Sequence, residues 1–194
     1  MKINLKNRLQ KEFYLQRTEI VAKELLGKIL VYGNLAGKII ETEAYIPEND
    51  EANHSARGKT KRNAAMHEEG GILYVYKIYG VHHCINVVTE EKDKGCAVLI
   101  RALQPVAGID IMKKNRSKDK IEELCKGPGN VAKAFGFTTD DNYSSLLSDH
   151  LYVVDDIDDR EIVIDKRIGI SKAVDLPLRF YFANDPYVSG KKIK

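Results

Sequence analysis

Short apolar runs, some interrupted by single polar residues, recur along this chain and predict a fold rich in β-strands. Gly33-Asn34 and Tyr79-Gly80 are turn sequences, and each lies between two such runs, which predicts two β-hairpins. The predicted strands cover residues 28–32, 37–45, 72–78, 82–88, 96–103, 161–170 and 178–183.

Three other segments have the apolar spacing of amphipathic helices. The first begins at Thr18, a residue type that caps helices, and is stopped by Gly27. The second covers residues 109–124 on the surface, and the third runs from Gly127 toward Phe135. Because the hairpins pair consecutive strands and the helices lie at their flanks, the sequence predicts the α+β class.

The composition is that of an ordinary globular protein, with 43% hydrophobic and 30% charged residues in 194. No repeat or linker divides it, so we expect a single domain over residues 1–194. No apolar run could cross a membrane, and residues 1–6 lack the apolar stretch of a signal peptide. We therefore expect a cytoplasmic, non-secreted protein, associated with the nucleoid if bacterial, whose three cysteines are reduced and buried.

Charge is unevenly distributed along the chain. Residues 140–161 carry eight acids and one base, a net charge of −7, so the rest carries +10 within a total of +3. Such a division is found both in proteins with a basic face for a polyanion and in proteins with solvated acidic loops. Four bases without an acid among them lie within six residues, and they are Arg57, Lys59, Lys61 and Arg62.

The predicted strand 37–45 contains two acids that do not help to build a core. Side chains alternate between the faces of a strand, so Glu41, Glu43 and Tyr45 lie on one face. Unpaired carboxylates are costly to bury. This face of the strand is therefore either exposed to solvent or part of a functional site.

Other polar residues interrupt apolar strands in the same way. Arg101 follows three apolar residues and needs a carboxylate or phosphate partner, so it could pair with Glu41 or Glu43. Adjacent histidines on a strand point to opposite faces, so His82-His83 does not predict a metal site. Tyr79 at the hairpin turn either lies back on its own strands or stands free as a wedge for nucleic acid.

Eight short blocks of this chain occur in the same order in one known family. They are IETEAY (40–45), HS (54–55), TKRN (60–63), LYVYKIYG (73–80), CIN (84–86), VLIRALQP (98–105), LCKGP (124–128) and PLRFY (177–181). From about Leu15 to Ser189 the chain thus closely resembles the alkyladenine (3-methyladenine) DNA glycosylase family, of the mammalian type rather than the helix-hairpin-helix type. Lys61 departs from this pattern, because a proline is common there.

The resemblance implies a monomeric DNA-repair enzyme with a curved antiparallel sheet, flanking helices and a protruding hairpin. It implies a substrate of double-stranded DNA that contains alkylated or deaminated purines, hypoxanthine among them. The damaged nucleotide would be flipped out, and water would attack C1′ to release the base and leave an abasic site. No metal and no cofactor are expected.

The resemblance also implies roles for individual residues. Glu43 matches the general base, and Arg101 and the carbonyl of Ile168 match the groups that hold the attacking water. Tyr79 matches the side chain inserted into the emptied base stack. The residues expected to contact the flipped base are Tyr45, His54, Tyr76 and Asn86, the last by screening purine substituents.

Two other functions are compatible with parts of the sequence. A catalytically inactive nucleic-acid-binding domain would keep the basic loop, Arg57 to Arg62, for the DNA backbone but would not need Glu43. An O-glycoside hydrolase would use Glu41 and Glu43 as its two acids. Residues two apart on a strand stand side by side, roughly 6.5–7 Å apart, rather than on the two sides of a bond, which argues against the hydrolase.

Overall fold

An antiparallel sheet of eight strands runs through the computed structural model, which describes residues 7–190. Its main path has the order β3-β4-β5-β2-β1-β6, and β8 pairs with both β2 and β7. The strands are β1 (Ile29–Tyr32), β2 (Leu35–Tyr45), β3 (Leu73–Ile78), β4 (His82–Val88), β5 (Ala97–Ala107), β6 (Leu151–Val154), β7 (Ile162–Asp165) and β8 (Arg179–Phe182).

The long strand β2 is the centre of the sheet and the cause of its curvature. One side of β2 pairs with β5, while the other side pairs first with β1 and then, at residues 41–43, with β8. The register between β2 and β5 shifts between Ile39 and Glu41 and again between Glu41 and Thr42. Such irregularities bend a strand and increase its twist. The two glutamates of β2 therefore lie at the bend of a curved sheet.

Four short helices flank this sheet and complete the core. They are α1 (Lys11–Tyr14), α2 (Thr18–Glu24), α3 (Ile109–Arg116) and α4 (Pro128–Phe135). Helix α2 packs on β2, and α4 buries Val131, Ala132 and Phe135 against β4 and β5. The prediction of a single α+β domain around a curved antiparallel sheet is confirmed, as are both hairpins and their turns.

Two helix predictions were wrong in detail. The helix predicted over 109–124 ends at Arg116, because Ser117 adopts a left-handed conformation with φ 51°, and only a 3₁₀ turn, Ile121–Glu123, follows. Thr18 does not cap α2, since its side chain instead donates to Glu90 Oε1 at 2.5 Å and contacts the Thr89 hydroxyl. A partner distant in the sequence thus replaces the local capping bond.

The strand predictions need three corrections. Strand β6 lies inside the acidic segment 140–161 and was missed, because its four apolar residues are flanked by acids and turns. Strand β7 is shorter than the predicted 161–170, and β5 continues beyond Leu103 to Ala107. The apolar-poor segment 1–6 lies outside the described residues. No helix within residues 7–190 is long and apolar enough to cross a membrane.

Much of the charge in the acidic segment is neutralised within the fold. Lys28 pairs with Asp155, Lys38 with Asp156, and Arg160 with Asp158. Strand β6 lies at one end of the main strand order and β3 at the other, and the acidic segment reaches both, because Ser144 and Ser145 pair with the start of β3.

Candidate active site

A buried cluster of charged side chains forms where β2 bends against β5 and β8. Arg101 on β5 donates from Nε to Glu41 Oε1 at 3.0 Å and from Nη1 to Glu43 Oε2 at 3.1 Å. A third donor, Nη2, bonds the Ser189 hydroxyl at 3.2 Å. Arg101 therefore pairs with both glutamates, and the alternative of a solvated strand face is wrong.

Glu41 accepts three hydrogen bonds that tie the cluster to the C-terminal strand. Besides Arg101, Arg179 Nε donates to its Oε1 at 2.8 Å and the Ser189 amide donates to its Oε2 at 2.6 Å. The side chain of Glu41 is fully buried. With two guanidinium groups and one amide as partners, Glu41 serves to hold β2, β5 and β8 together.

Glu43 is also buried, but its partners face open space. Its Oε2 accepts from Arg101 and from the Tyr45 hydroxyl at 3.0 Å, and its Oε1 accepts from the Ile168 amide at 2.9 Å. Burial raises the pKa of Glu43, and the Arg101 charge and the Ile168 amide oppose that rise. A carboxylate offers about four acceptor positions, so three donors leave one for a further ligand.

A hollow of about 460 Å³ opens directly beside this carboxylate. All three partners of Glu43 line it, namely Tyr45, Arg101 and Ile168, and Tyr79 stands at its edge. A molecule in the hollow would reach the Glu43 carboxylate only through the space between Tyr45, Arg101 and Ile168. The geometry thus places a buried carboxylate next to a guanidinium, behind the wall of the hollow.

A narrower pocket of about 120 Å³ contains all four residues that were predicted to contact a base. Tyr45, His54, Tyr76 and Asn86 line it together with Tyr74, among others. Because Tyr45 and Tyr76 line both cavities, the pocket and the hollow adjoin each other. The Tyr74 and Tyr76 rings stack with their centroids 5.3 Å apart, which leaves an aromatic wall.

Hydrogen bonds fix the polar side chains of this pocket. The Nδ1 atom of His54 lies 2.9 Å from the Tyr74 hydroxyl, and Asn86 Nδ2 donates to the Tyr74 carbonyl at 3.0 Å. Partial desolvation, helped by the nearby Arg62 charge, lowers the pKa of His54. At neutral pH the imidazole is therefore mainly neutral and acts as a hydrogen-bonding group.

The family model of methylpurine-DNA glycosylase matches residues 12–186 of this chain. The chain belongs to the methylpurine-DNA glycosylase family. A protein of Methanoculleus marisnigri is 46% identical over 187 residues, which cover 92% of this chain and 97% of that protein. A protein of Francisella tularensis subsp. tularensis is 47% identical over 184 residues, covering 90% and 95%. Both carry the name "Putative 3-methyladenine DNA glycosylase", and the resemblance predicted from the sequence is confirmed.

The tip of the β3–β4 hairpin presents a free aromatic ring in this DNA glycosylase. Tyr79 is 83% exposed and has a φ of 50°, a left-handed conformation that is costly for an aromatic residue. Nothing lies within 4 Å of the position that a Cβ at Gly80 would occupy. The alternative of a turn tyrosine packed on its own strands is therefore wrong, and the ring is available for a ligand.

The basic loop beside the pocket is exposed, but its four bases are not equivalent. The Arg62 guanidinium lies 5.7 Å from the Tyr76 ring centroid, so it borders the pocket. Lys59 Nζ is 3.9 Å from both Glu68 and Asp93, which partly neutralise it. For Arg57 and Lys61 no ion pair occurs within residues 7–190.

The sequence did not predict one buried ion pair of the glycosylase. Arg167 donates to both oxygens of Asp50, at 2.6 and 2.7 Å, and its guanidinium lies 4.6 Å from the Tyr45 ring centroid. The two residues are 117 positions apart, and Asp50 lies in a polar stretch without periodicity. The position of Arg167 directly before Ile168 was the only local signal.

Proposed function

We propose that this glycosylase is monofunctional and hydrolyses the N-glycosidic bond of alkylated or deaminated purines in double-stranded DNA, as a monomer inside the cell. The observation that carries the proposal is the Glu43 carboxylate, which is held by Arg101, Tyr45 and the Ile168 amide beside two adjoining cavities. The larger cavity would take the sugar and the attacking water, and the narrower pocket the flipped base.

The reaction needs one base and a stabilised positive charge at the sugar. As the bond between C1′ and the purine nitrogen breaks, its electron pair leaves with the base and the sugar gains oxocarbenium character. Water attacks C1′ and gives its proton to Glu43, whose negative charge also stabilises the cationic sugar. Arg101, and the Ile168 carbonyl expected from the resemblance, would orient that water. An intact abasic site is left.

Strand cleavage would need an amine that forms a Schiff base with C1′. Lys126 is the lysine that lines the hollow, and its Nζ donates to the Pro186 carbonyl at 2.9 Å. No family motif places a lysine for this attack. We therefore expect hydrolysis without cleavage of the strand.

Selection of the base would rest on the aromatic walls. An alkylated purine carries positive charge, and a cationic ring stacks favourably on the electron-rich faces of Tyr45 and Tyr76. Neutral lesions such as hypoxanthine would depend instead on a hydrogen bond or proton from the pocket. His54 is the candidate for this role, and its lowered pKa favours the hydrogen bond.

Tyr79→Ala is expected to lower excision of well-paired lesions by about 5–100-fold and that of mispaired lesions less. Stacking on an aromatic side chain contributes about 1–3 kcal/mol, which offsets the cost of unstacking a nucleotide. Single-turnover kinetics on both duplexes measure the difference. Because Tyr79 is exposed, the melting temperature should not change. A variant that melts earlier but flips normally would make Tyr79 a structural residue.

Lys61→Ala is expected to reduce the slope of log K against log salt concentration by about one unit for DNA binding. Lys61 is exposed and without an ion pair within the described residues, so its charge is free to meet a phosphate. Lys59→Ala should have a smaller effect, because Glu68 and Asp93 already share its charge. The exposed Lys114 on α3 provides a matched control. Equal slopes for Lys61→Ala and Lys114→Ala would remove the basic loop from the DNA interface.

The rate of excision is expected to fall on the acid side at a pH above 4.5, the ordinary carboxyl pKa, since burial raises the pKa of Glu43 and only the ionised form accepts a proton. This acid limb should be common to all lesions. A second fall at higher pH should appear only for neutral purines, which must leave with a proton that charged alkylpurines do not need. If the rate fell in the same way at high pH for charged and for neutral lesions, the result would contradict protonation of the neutral bases.

Single-turnover assays on duplexes that each carry one defined lesion test the proposal and its alternative together. Release of an alkylated purine is the expected result. Tight binding of every duplex without any release would instead support the inactive nucleic-acid-binding domain. An O-glycoside hydrolase is disfavoured because Glu41 and Glu43 share one guanidinium on one strand face.

A further inference from the structure

The buried Asp50–Arg167 pair lies directly behind the Tyr45 ring. Both residues are buried, and the guanidinium also donates to the Ala44 carbonyl at 2.9 Å. Arg167 lines neither cavity, whereas Tyr45 lines both. The guanidinium therefore lies on the side of the Tyr45 ring that faces away from both cavities.

The pair also connects three of the chain segments that build the pocket. Asp50 accepts bonds from the amides of Ile46 and Ala52, which fix the loop that leads to His54. Arg167 precedes Ile168, the amide donor to Glu43. Gly169 and Ile170, which follow, line the narrow pocket.

Charge in this region is balanced residue by residue. The buried arginines around the site are Arg101, Arg167 and Arg179, and the buried acids are Glu41, Glu43 and Asp50. Glu41 and Glu43 neutralise the first and third of these arginines, and Asp50 neutralises Arg167. Without Asp50, an uncompensated guanidinium would lie behind the ring on which the base stacks.

We propose that Asp50 and Arg167 determine how well the pocket accepts cationic purines relative to neutral ones, an inference that rests on the proposed function. A ring face attracts a cation through its electron density, and a bare cation on the opposite face weakens that attraction. Asp50 cancels the Arg167 charge, so that Tyr45 keeps its attraction for a positively charged alkylpurine. Arg167 itself supports the Tyr45 ring, which its guanidinium contacts, and Ile168, which follows it in the chain. Neither residue touches the substrate, so both are positioning residues.

Changing the charge of the pair in both directions tests this proposal. Asp50→Asn leaves a net positive charge behind Tyr45, and Arg167→Gln leaves a net negative one. The double variant Asp50→Asn/Arg167→Gln is neutral again. Each is assayed by single-turnover kinetics on a duplex with cationic 7-methylguanine and on one with a neutral lesion, the better excised of hypoxanthine and 1,N6-ethenoadenine. The readout is the ratio of the two rates.

We expect Asp50→Asn to lower the cationic-to-neutral ratio by about tenfold, as estimated for one uncompensated charge several ångströms away at an effective dielectric constant of about 20–40. Arg167→Gln should raise the ratio, and the double variant should restore it even where both rates fall. The two single variants predict opposite shifts, so either one suffices if the other does not fold. If the pair had only a structural role, its substitution would lower both rates together and leave their ratio unchanged. An unchanged ratio in folded variants would overturn this inference but not the proposed function. A wild-type protein that releases no purine would overturn the proposed function as well.

Discussion

Glu43→Gln is expected to lower single-turnover base release by about 10²–10⁴-fold while lesion-containing DNA is still bound. Glutamine keeps the shape of the side chain and can still accept the Ile168 amide bond, but it cannot take the proton of the attacking water. Binding measured by fluorescence anisotropy separates this effect from loss of affinity. Near-normal release by the variant would remove Glu43 from the mechanism.

The same variant should lose less stability at neutral pH than Glu41→Gln does, although both glutamates pair with Arg101. Burial raises the pKa of Glu43, so the folded state holds its proton more tightly than the unfolded state does. Between 4.5 and that raised pKa, stability falls as pH rises, and above it the ionised carboxylate costs folding free energy. A neutral glutamine avoids this cost. A large drop in melting temperature would mean that Glu43 is mainly a structural partner of Arg101.

Glu41→Gln is expected to show the opposite behaviour, with a loss of about 3–5 kcal/mol in the free energy of unfolding, the cost of removing one partner of a buried ion pair. Glu41 holds Arg101, Arg179 and the Ser189 amide, so the substitution leaves buried guanidinium groups undercompensated. Urea unfolding of the two glutamine variants in parallel measures the contrast.

Base release per folded molecule should fall much less for Glu41→Gln than for Glu43→Gln. The hydrogen bonds of Glu41 all go to protein groups, and only Glu43 has its three partners at the wall of the hollow. Equal catalytic losses in the two variants would show that Glu41 and Glu43 act as a unit in catalysis. A Glu41→Gln variant as stable as the wild type would contradict the structural role of that side chain.

The parts of the fold that the sequence predicted are those fixed by local signals. Turn residues such as Gly33 and Gly80 set both hairpins, and short apolar runs set their strands. Two of the errors lie where a distant contact decides the outcome. Thr18 bonds to Glu90 rather than capping its helix, and β6 forms because β1 offers it an edge.

The site shows the same division between local and distant information. Glu43 and Tyr45 could be placed together because they share a strand face, and His54 and Tyr76 because of the family motifs. Asp50 and Arg167 could not, since burial brings together two loops with no periodic pattern. The double role of Arg101, which binds both glutamates, follows from the bend in β2 that the sequence does not reveal.

The most direct test of Glu43-dependent hydrolysis is the product analysis of one reaction. A duplex with a single 7-methylguanine is incubated with the wild type and with Glu43→Gln, and the released material and the DNA strand are examined by mass spectrometry. We predict free 7-methylguanine and an intact strand with an abasic site for the wild type, and almost none of either product for the variant. Release of the base at the same rate by both proteins, or a cleaved strand in place of an abasic site, would contradict the mechanism.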